Sequence, residues 1–331
     1  MKHCPLCKKA YGDETLNFCL DDGSRLESSG SDEPSTLIFG SSAPASATPS
    51  PVSPVNIEYC TTADGVRIAY SSVGSGPLLV RVLGHFTHLE KEWEWPDLRR
   101  FWERLAESFT VVRFDGRGIG LSEPFAGEFT EEGRQADLAA VLDAIGAKDV
   151  TLLGISEGGW TSALYASSHP EQIVRLVLYG AYCRGAKARP GFDAEENDAL
   201  LTLIRKGWGR DTPAFRQLFT STFFRSDADP ALLEHFNDLQ RAAADGDTAA
   251  RYWRSIHERG DGTELFSNLK LPTLVIHCQD DMAVSSDEGR LLASTIPGAR
   301  LVLLPSGVHY FPTERDVISK VADAIDSFAG A

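Results

Sequence analysis

The feature that most restricts the fold is an alternation of short apolar runs with helical patterns, which begins at Asn56 and continues to the end of the chain. Most of the runs are apolar at consecutive positions, as in strands that are covered on both faces. The sequence therefore predicts an α/β fold with a mostly parallel central sheet flanked by helices. The predicted strands are 67–73, 78–83, 109–114, 150–154, 173–179, 272–278 and 299–305.

One stretch interrupts the alternation. Residues 184–266 carry helical periodicity without a convincing strand pattern. An insertion of this length predicts a helical cap over the active edge of the sheet. Its aromatic residues are expected to form the cap's own core and, in part, to line an apolar pocket. These residues are Trp208, Phe215, Phe219, Phe223, Phe224 and Trp253.

The stretch LLGISEGGW, residues 152–160, places a single serine among glycines directly after an apolar run. Gly154, Ser156 and Gly158 form the Gly-x-Ser-x-Gly pattern of a strand-to-helix turn that exposes a nucleophilic serine oxygen. A glycine-rich turn without chemistry is the simpler interpretation. An activated serine also needs a base, an acid that orients the base, and donors for the oxyanion.

Candidates for the acid and the base follow the last two predicted strands. Asp280 and Asp281 come shortly after the strand 272–278, and His309 follows the final strand. The carboxyl ends of parallel strands meet at one edge of a sheet, so these side chains are expected near Ser156. The chain order serine, aspartate, histidine is that of α/β-hydrolases, whereas other serine hydrolases use different orders.

Two backbone N–H groups are expected to bind the oxyanion. One belongs to Glu157, the residue after the nucleophile, and the other belongs to His85, in the loop after the strand 78–83. The helix that follows the serine would also aim its N-terminus at the reaction centre and stabilise negative charge there.

The first 27 residues carry a different signal. Cys-x-x-Cys is followed by a third cysteine and then by an aspartate at the same spacing. Paired knuckles of this kind hold tetrahedral zinc, and so short a segment has little other means of folding. The stretch resembles small bacterial zinc-ribbon modules, which usually end in Cys-x-x-Cys. A tail with reactive thiols is the alternative. The expected ligands of a structural zinc are Cys4, Cys7, Cys19 and Asp22, with His3 as the alternative fourth ligand.

Residues 28–55 are rich in Ser, Pro and Ala, and they predict a disordered linker between the module 1–27 and a domain 56–331. The net charge of −15 disfavours nucleic acid and anionic membranes as partners. The chain has no apolar run of about 18 residues and its first residues do not begin a signal peptide, so we expect a cytoplasmic location.

Residues 56–331 resemble the α/β-hydrolase superfamily. FDGRGIGLS at 114–122 matches its Asp-x-Arg-Gly-x-Gly-x-Ser loop, in addition to the serine turn and the two later positions. The stretches DGVRIAYSSVGSGP, LGHFTHLEKEWEWP and GWGRDTPAFRQLFTSTFF resemble a bacterial subgroup whose hydrolase domains are fused to nucleotide cyclases or helix-turn-helix regulators. The loop CQDDMAVS resembles the superfamily pattern Gly-x-x-Asp-x-x-Val, which implies that Asp281 is the acid.

The chain departs from the superfamily pattern at three places. Leu83-Gly84 stands where His-Gly is usual, Cys278 replaces a common glycine, and Ser285 replaces a common proline. None of these changes removes a member of the expected triad, although they bear on the geometry of the oxyanion site.

We therefore expect a serine hydrolase that cleaves a small or medium carboxylic ester, or a lactone or amide, without a cofactor for catalysis. Ser156, Asp281 and His309 would form its triad. The alternative is a ligand-sensing or scaffold protein of weak catalytic power, in which the zinc ribbon contacts a protein partner. An intact triad favours the enzyme. The fusion of hydrolase domains to nucleotide cyclases or helix-turn-helix regulators in the similar subgroup favours sensing.

Overall fold

The computed structural model describes residues 2–5, 7–12, 19, 21, 26–28, 55–84, 86–208, 210, 214–224 and 228–330. The chain divides into two compact units, Met1–Pro51 and Val52–Ala331. In the first unit the short strands Lys2–His3, Ala10–Tyr11 and Glu27–Ser28 form an antiparallel sheet with Lys2–His3 at its centre. The predicted linker lies almost wholly outside the described residues, and so does Asp22.

The second unit is built on an eight-stranded sheet. Its strands are β1 Glu58–Thr61, β2 Arg67–Val73, β3 Leu78–Leu83, β4 Thr110–Phe114, β5 Val150–Ile155, β6 Ile173–Tyr179, β7 Thr273–Cys278 and β8 Arg300–Leu304. Strands β3 to β8 are parallel, whereas β1 and β2 pair antiparallel at one edge. The order of the strands in the sheet is β8-β7-β6-β5-β3-β4-β2-β1. The predicted α/β-hydrolase fold is confirmed. Among the described strands of this unit, only β1, a short and largely exposed edge strand, was not predicted, because it lacks an apolar run.

Eleven helices are described in this unit. They are α1 Leu89–Glu94, α2 Pro96–Ala106, α3 Glu131–Ala144, α4 Gly158–Ser168, α5 Ala194–Gly207, α6 Ala214–Thr220, α7 Pro230–Ala243, α8 Gly246–His257, α9 Thr263–Ser267, α10 Ser286–Thr295 and α11 Arg315–Ala329. None of the helices among the described residues has both the length and the apolar character needed to cross a bilayer.

Helices cover both faces of the sheet. The neighbouring β5 residues Leu152 and Leu153 illustrate this, because both are buried although their side chains point to opposite faces. Leu152 belongs to a core that includes side chains of α3, α4 and α10, whereas Leu153 belongs to one that includes side chains of α2 and α11. This double cover explains why the central strands are continuous apolar runs.

The segment between β6 and β7, referred to below as the cap segment, contains the helices α5 to α9. Its two ends lie side by side, because Arg184 and Asp261 form an isolated β-bridge and the Gly185 N–H donates to the Gly260 carbonyl at 2.8 Å. The segment therefore leaves and re-enters the sheet at nearly one point. Its core is aromatic, with Trp208, Phe219, Phe224 and Phe236 buried.

A buried charge cluster lies beneath β3 and β4. Both carboxylate oxygens of Glu92, in α1, accept hydrogen bonds from Nη1 of Arg81, at 2.6 and 2.7 Å. Arg113 approaches the same carboxylate at 3.2 Å. All three side chains are at most 1% exposed. Burial lowers the pKa of Arg113 to about 10, although the charge of Glu92 opposes the shift. Both guanidinium groups thus depend on one carboxylate.

Replacing Glu92 by glutamine should destabilise the fold strongly, because it leaves two buried arginines without their counter-charge. Removal of one partner from a buried ion pair typically costs about 3–5 kcal/mol. Glu94→Gln is the matched control, since Glu94 pairs with Lys91 at the exposed surface and such pairs contribute at most about 1 kcal/mol. Urea denaturation of both variants measures the difference, and equal small losses would contradict this account.

Candidate active site

Ser156 lies in a sharp turn between β5 and α4. Its φ angle is +52°, in the left-handed region that non-glycine residues rarely adopt. The Ser156 N–H donates to the Tyr179 carbonyl of β6 at 2.8 Å, which helps to hold this conformation. A Cβ atom at Gly154 would lie 2.8 Å from both Gly159 Cα and Ser162 Oγ. The strained serine and the crowded glycine are the features expected of a nucleophile elbow.

The structure brings the three predicted side chains into a hydrogen-bonded chain. His309, in the loop after β8, places Nε2 at 2.9 Å from Ser156 Oγ. Its Nδ1 lies 2.7 Å from Asp281 Oδ2. The side chains of His309 and Asp281 are 3% and 1% exposed. Both distances lie in the range over which a base activates a nucleophile and an acid orients the base.

Asp281 is held in place by its own loop. Oδ1 accepts the N–H groups of Ala283 and Val284, each at 2.9 Å, which leaves Oδ2 for His309. Burial by itself would raise the pKa of Asp281, but the charge and hydrogen bond of His309 and the Val284 N–H outweigh it and lower the pKa. The carboxylate is therefore ionised at neutral pH. Asp280, by contrast, is exposed and does not contact His309.

The structure describes only one of the two predicted oxyanion donors, Glu157. Glu157 precedes α4, and its N–H donates to no backbone carbonyl among the described residues. His85 lies outside the described residues. Gly84, just before it, lines the cavity beside Ser156, and a Cβ atom there would fall 1.5 Å from Glu157 Cγ. The glycine is thus required for the close approach of the β3 loop to the elbow.

The side chain of Glu157 has a role that the sequence did not predict. It is 2% exposed and lies at 3.3 Å from Arg134 of α3 and 3.2 Å from Arg259, which follows α8. Arg259 also pairs with Glu131. Burial raises the pKa of Glu157, and the charges of Arg259 and Arg134 oppose that shift. This network joins the elbow to the end of the cap segment.

A cavity of about 190 Å³ opens onto Ser156 and His309. Of the six aromatic residues expected from the cap, only Phe223 and Trp253 line it. Trp208, Phe219 and Phe224 are buried in the cap core, and Phe215 is half-buried beside Arg210. The remaining lining residues are Gly84, Ile155, Tyr182, Ala186, Arg189, Thr222, Ile256, His257, Met282, Ala283, Val284 and Tyr310.

Sequence reasoning missed several polar lining residues, among them Tyr182, Arg189 and His257. Tyr182 follows β6 closely, so the rule that located the aspartate and the histidine also applies to it. Arg189 lies in an irregular segment and gives no periodic signal. His257 had no identifiable partner in the sequence, yet its ring stacks on Trp253 at 4.0 Å and its Nδ1 lies 3.1 Å from the Trp253 carbonyl. Burial lowers the pKa of His257 to about 4, so its imidazole is neutral at neutral pH.

Two of the remaining histidines and two of the departures from the superfamily pattern have structural explanations. His169 stacks on Tyr165 at 4.1 Å, and His235 stacks on Trp95 at 5.8 Å. The Sγ atom of Cys278 lies 3.4 Å from the Tyr179 hydroxyl. Ser285 caps α10 through the Asp287 N–H. None of these contacts competes with the chain of hydrogen bonds at Ser156.

Cys4, Cys7 and Cys19 form the one group of close metal-ligand atoms among the described residues. Their sulfur atoms all lie within 4.8 Å of one another. The Cys7 N–H donates to Cys4 Sγ at 3.4 Å, and Lys8 has a φ angle of +62°. This tight turn after Cys-x-x-Cys brings the first two thiols together. His3, the alternative fourth ligand, does not belong to the group.

Comparison with known proteins gives consistent matches. A family model described as serine aminopeptidase, S33, matches residues 98–316. Serine hydrolase BPHL of Mus musculus is 25% identical over 249 residues, which cover 74% of this chain and 78% of the relative. The bifunctional esterase/perhydrolase DCH of Acinetobacter calcoaceticus is 26% identical over 273 residues, which cover 79% of this chain and 96% of the relative. A hydrolase structure from Pseudomonas aeruginosa matches with a TM-score of 0.69 and 26% identity, over 83% of this chain and 99% of that chain.

Proposed function

Since the chain belongs to the serine aminopeptidase S33 family of α/β-hydrolases, we propose that it cleaves a small or medium carboxylic ester, or a lactone or amide, through a Ser156–His309–Asp281 triad. The observation that carries this proposal is the unbroken chain of hydrogen bonds from Ser156 Oγ to Asp281 Oδ2. The cavity of about 190 Å³ at its end favours a small substrate.

Catalysis would proceed in two stages. Ser156 Oγ attacks the carbonyl carbon while His309 Nε2 accepts the hydroxyl proton, and the ionised Asp281 stabilises the imidazolium. The oxyanion binds the Glu157 N–H and a second N–H, which the sequence assigns to His85. His309 then protonates the leaving alcohol, which departs and leaves an acyl-serine. Water attacks this ester, with His309 as the base, and releases the acid. No cofactor enters any step.

A fluorophosphonate probe tests the proposal against the alternative of a sensing or scaffold protein. An activated serine forms a stable phosphonyl adduct, and mass spectrometry would place it on the peptide that contains Ser156. Heat-denatured protein is the control, because its serines lack the base. A native protein that is labelled no faster than the denatured one, and that hydrolyses no ester, would favour the alternative.

We also propose that Cys4, Cys7 and Cys19 hold a structural zinc, with Asp22 as the fourth ligand. The support is the mutual approach of the three sulfur atoms and the tight turn after Cys7. Soft thiolate donors in paired knuckles suit zinc in a closed site, where it stabilises a segment with little core. A protein partner for this segment and a cytoplasmic location stay predictions from the sequence.

The double variant Cys4→Ser/Cys7→Ser should lose the metal and keep the hydrolase activity. We expect about one zinc per chain in the unaltered protein and almost none in the variant, because two of four ligands are gone. Cys60→Ser is the control, since Cys60 lies on β1 in the other unit. Elemental analysis together with an ester assay measures both quantities. Equal zinc contents in the three proteins would contradict the assignment.

A further inference from the structure

The cavity beside Ser156 has an unusual charge. Among the described residues, its lining includes one arginine, Arg189, and no aspartate or glutamate. Of the two histidines in the lining, His257 is neutral at neutral pH, since burial lowers its pKa to about 4. The other, His309, is engaged with Ser156 and Asp281. Arg189 is therefore the permanent cation of the lining.

Arg189 is held by contacts that leave part of its guanidinium available. Its guanidinium carbon lies 4.0 Å from the centre of the Tyr182 ring, and its Nε donates to the Arg184 carbonyl at 2.8 Å. These contacts orient the planar group but occupy neither Nη1 nor Nη2. No carboxylate among the described residues forms an ion pair with Arg189.

The neighbouring Arg184 has a structural role, and its contacts differ from those of Arg189. Arg184 binds the buried carboxylate of Glu288 through Nε at 3.0 Å and Nη2 at 2.5 Å. Glu288 is thus already engaged, and no described carboxylate pairs with Arg189 in this way. A half-buried guanidinium without a counter-charge, at the wall of a small cavity, fits a role in binding an anionic group from a ligand.

We propose that Arg189 is the anion-binding residue of the acyl pocket and that the substrates are esters whose acyl chain carries a carboxylate. This inference rests on the proposed hydrolase function and names its substrate class. A carboxylate would gain charge-assisted hydrogen bonds from Nη1 and Nη2. A substrate ammonium group, such as the free amino terminus of a peptide, would meet a cation and find no carboxylate in the lining. The pocket therefore selects against aminopeptidase substrates.

The test compares esters of equal length and different charge. Monomethyl glutarate and monomethyl adipate carry the carboxylate, methyl pentanoate and methyl hexanoate are the neutral counterparts, and methyl 5-(trimethylammonio)pentanoate carries a cation. Acid release at constant pH gives kcat/KM for each. We expect the anionic esters to be preferred and the cationic ester to be the poorest substrate. In Arg189→Gln the ratio of anionic to neutral kcat/KM should fall about tenfold to a hundredfold, the usual effect of a hydrogen bond to a charged group.

Two further variants show whether the effect is specific. Lys187→Gln removes an exposed cation from the adjacent turn Ala186–Ala188 and should keep the ratio of the unaltered protein. Arg189→Lys keeps the charge and loses the planar fork, so an intermediate ratio is expected. An Arg189→Gln variant with an unchanged ratio, or a fall of equal size in Lys187→Gln, would overturn the proposal.

A binding measurement separates this inference from the proposed function. Glutaramate and pentanamide differ only by the terminal carboxylate, and calorimetry on the Ser156→Ala background measures their binding without turnover. Tighter binding of glutaramate that is lost on adding Arg189→Gln supports the anion site. If no ester is hydrolysed, the proposed function fails, and this measurement still decides the role of Arg189. Equal binding of both amides would refute it.

Discussion

Replacing Ser156 by alanine should lower ester turnover about a millionfold and leave the protein folded. The Oγ atom is the proposed nucleophile, and its loss removes the bond-forming atom together with the hydrogen bond to His309 Nε2. The Cβ atom and the backbone conformation persist in the variant, so the contacts that build the elbow are unchanged. Initial rates with a saturating ester, measured beside circular dichroism spectra, give both quantities.

The matched control is Ser167→Ala. Ser167 lies in α4, a few turns from the elbow, and its Oγ donates to the Ala163 carbonyl of the same helix. This substitution should leave turnover within about twofold, as expected for a helix-surface change away from the site. If Ser156→Ala retained turnover comparable to that of Ser167→Ala, the serine mechanism would have to be abandoned.

Asp281→Asn should lower turnover roughly ten-thousandfold, because it favours the His309 tautomer that cannot act as the base. Oδ1 of Asp281 accepts the Ala283 and Val284 N–H groups, so the asparagine oxygen would keep that place. Its NH₂ group would then face His309 Nδ1 and donate to it. The imidazole proton would move to Nε2, which could no longer accept the proton of Ser156. The same ester assay at neutral pH measures the loss.

Asp280→Asn provides the comparison one residue away. Asp280 is exposed and is not hydrogen-bonded to His309, so this variant should retain most of the activity. A turn residue of this kind usually contributes no more than about 1 kcal/mol of stability. The reverse pattern, with Asp280→Asn inactive and Asp281→Asn active, would mean that the loop after β7 is assigned one residue out of register.

Several features of the fold could be predicted from local patterns. The seven predicted strands match the observed strands to within one residue at each end, because a fully buried strand must be apolar at every position. The relative placement of Ser156, Asp281 and His309 also follows from simple geometry. Each residue comes shortly after a parallel strand, and parallel strands direct their carboxyl ends to one edge of the sheet.

Other features depend on residues that are far apart in the chain. Nothing in the local sequence of Arg81, Glu92 or Arg113 indicates that their charges share one buried cluster, because such a cluster requires the register of β3 against β4 and the position of α1. The ion pairs of the Glu157 side chain also could not be predicted from the local sequence. Its partner Arg259 lies 102 residues away, and only the closure of the cap segment brings the two together.

Sequence alone determined seven of the eight strands of the main sheet, the turn that exposes Ser156, and the order of the three candidate catalytic residues. Each of these depends on local apolar patterns or on the ends of parallel strands. The tertiary structure decided which cap residues face the serine. The cap helices are rich in aromatic residues, so periodicity did not distinguish Phe223, which lines the cavity, from Phe219, which is buried in the core. The orientation of α8 depends on contacts such as the one from Arg251 to the Phe125 carbonyl, and this long-range contact leaves no local pattern in the sequence.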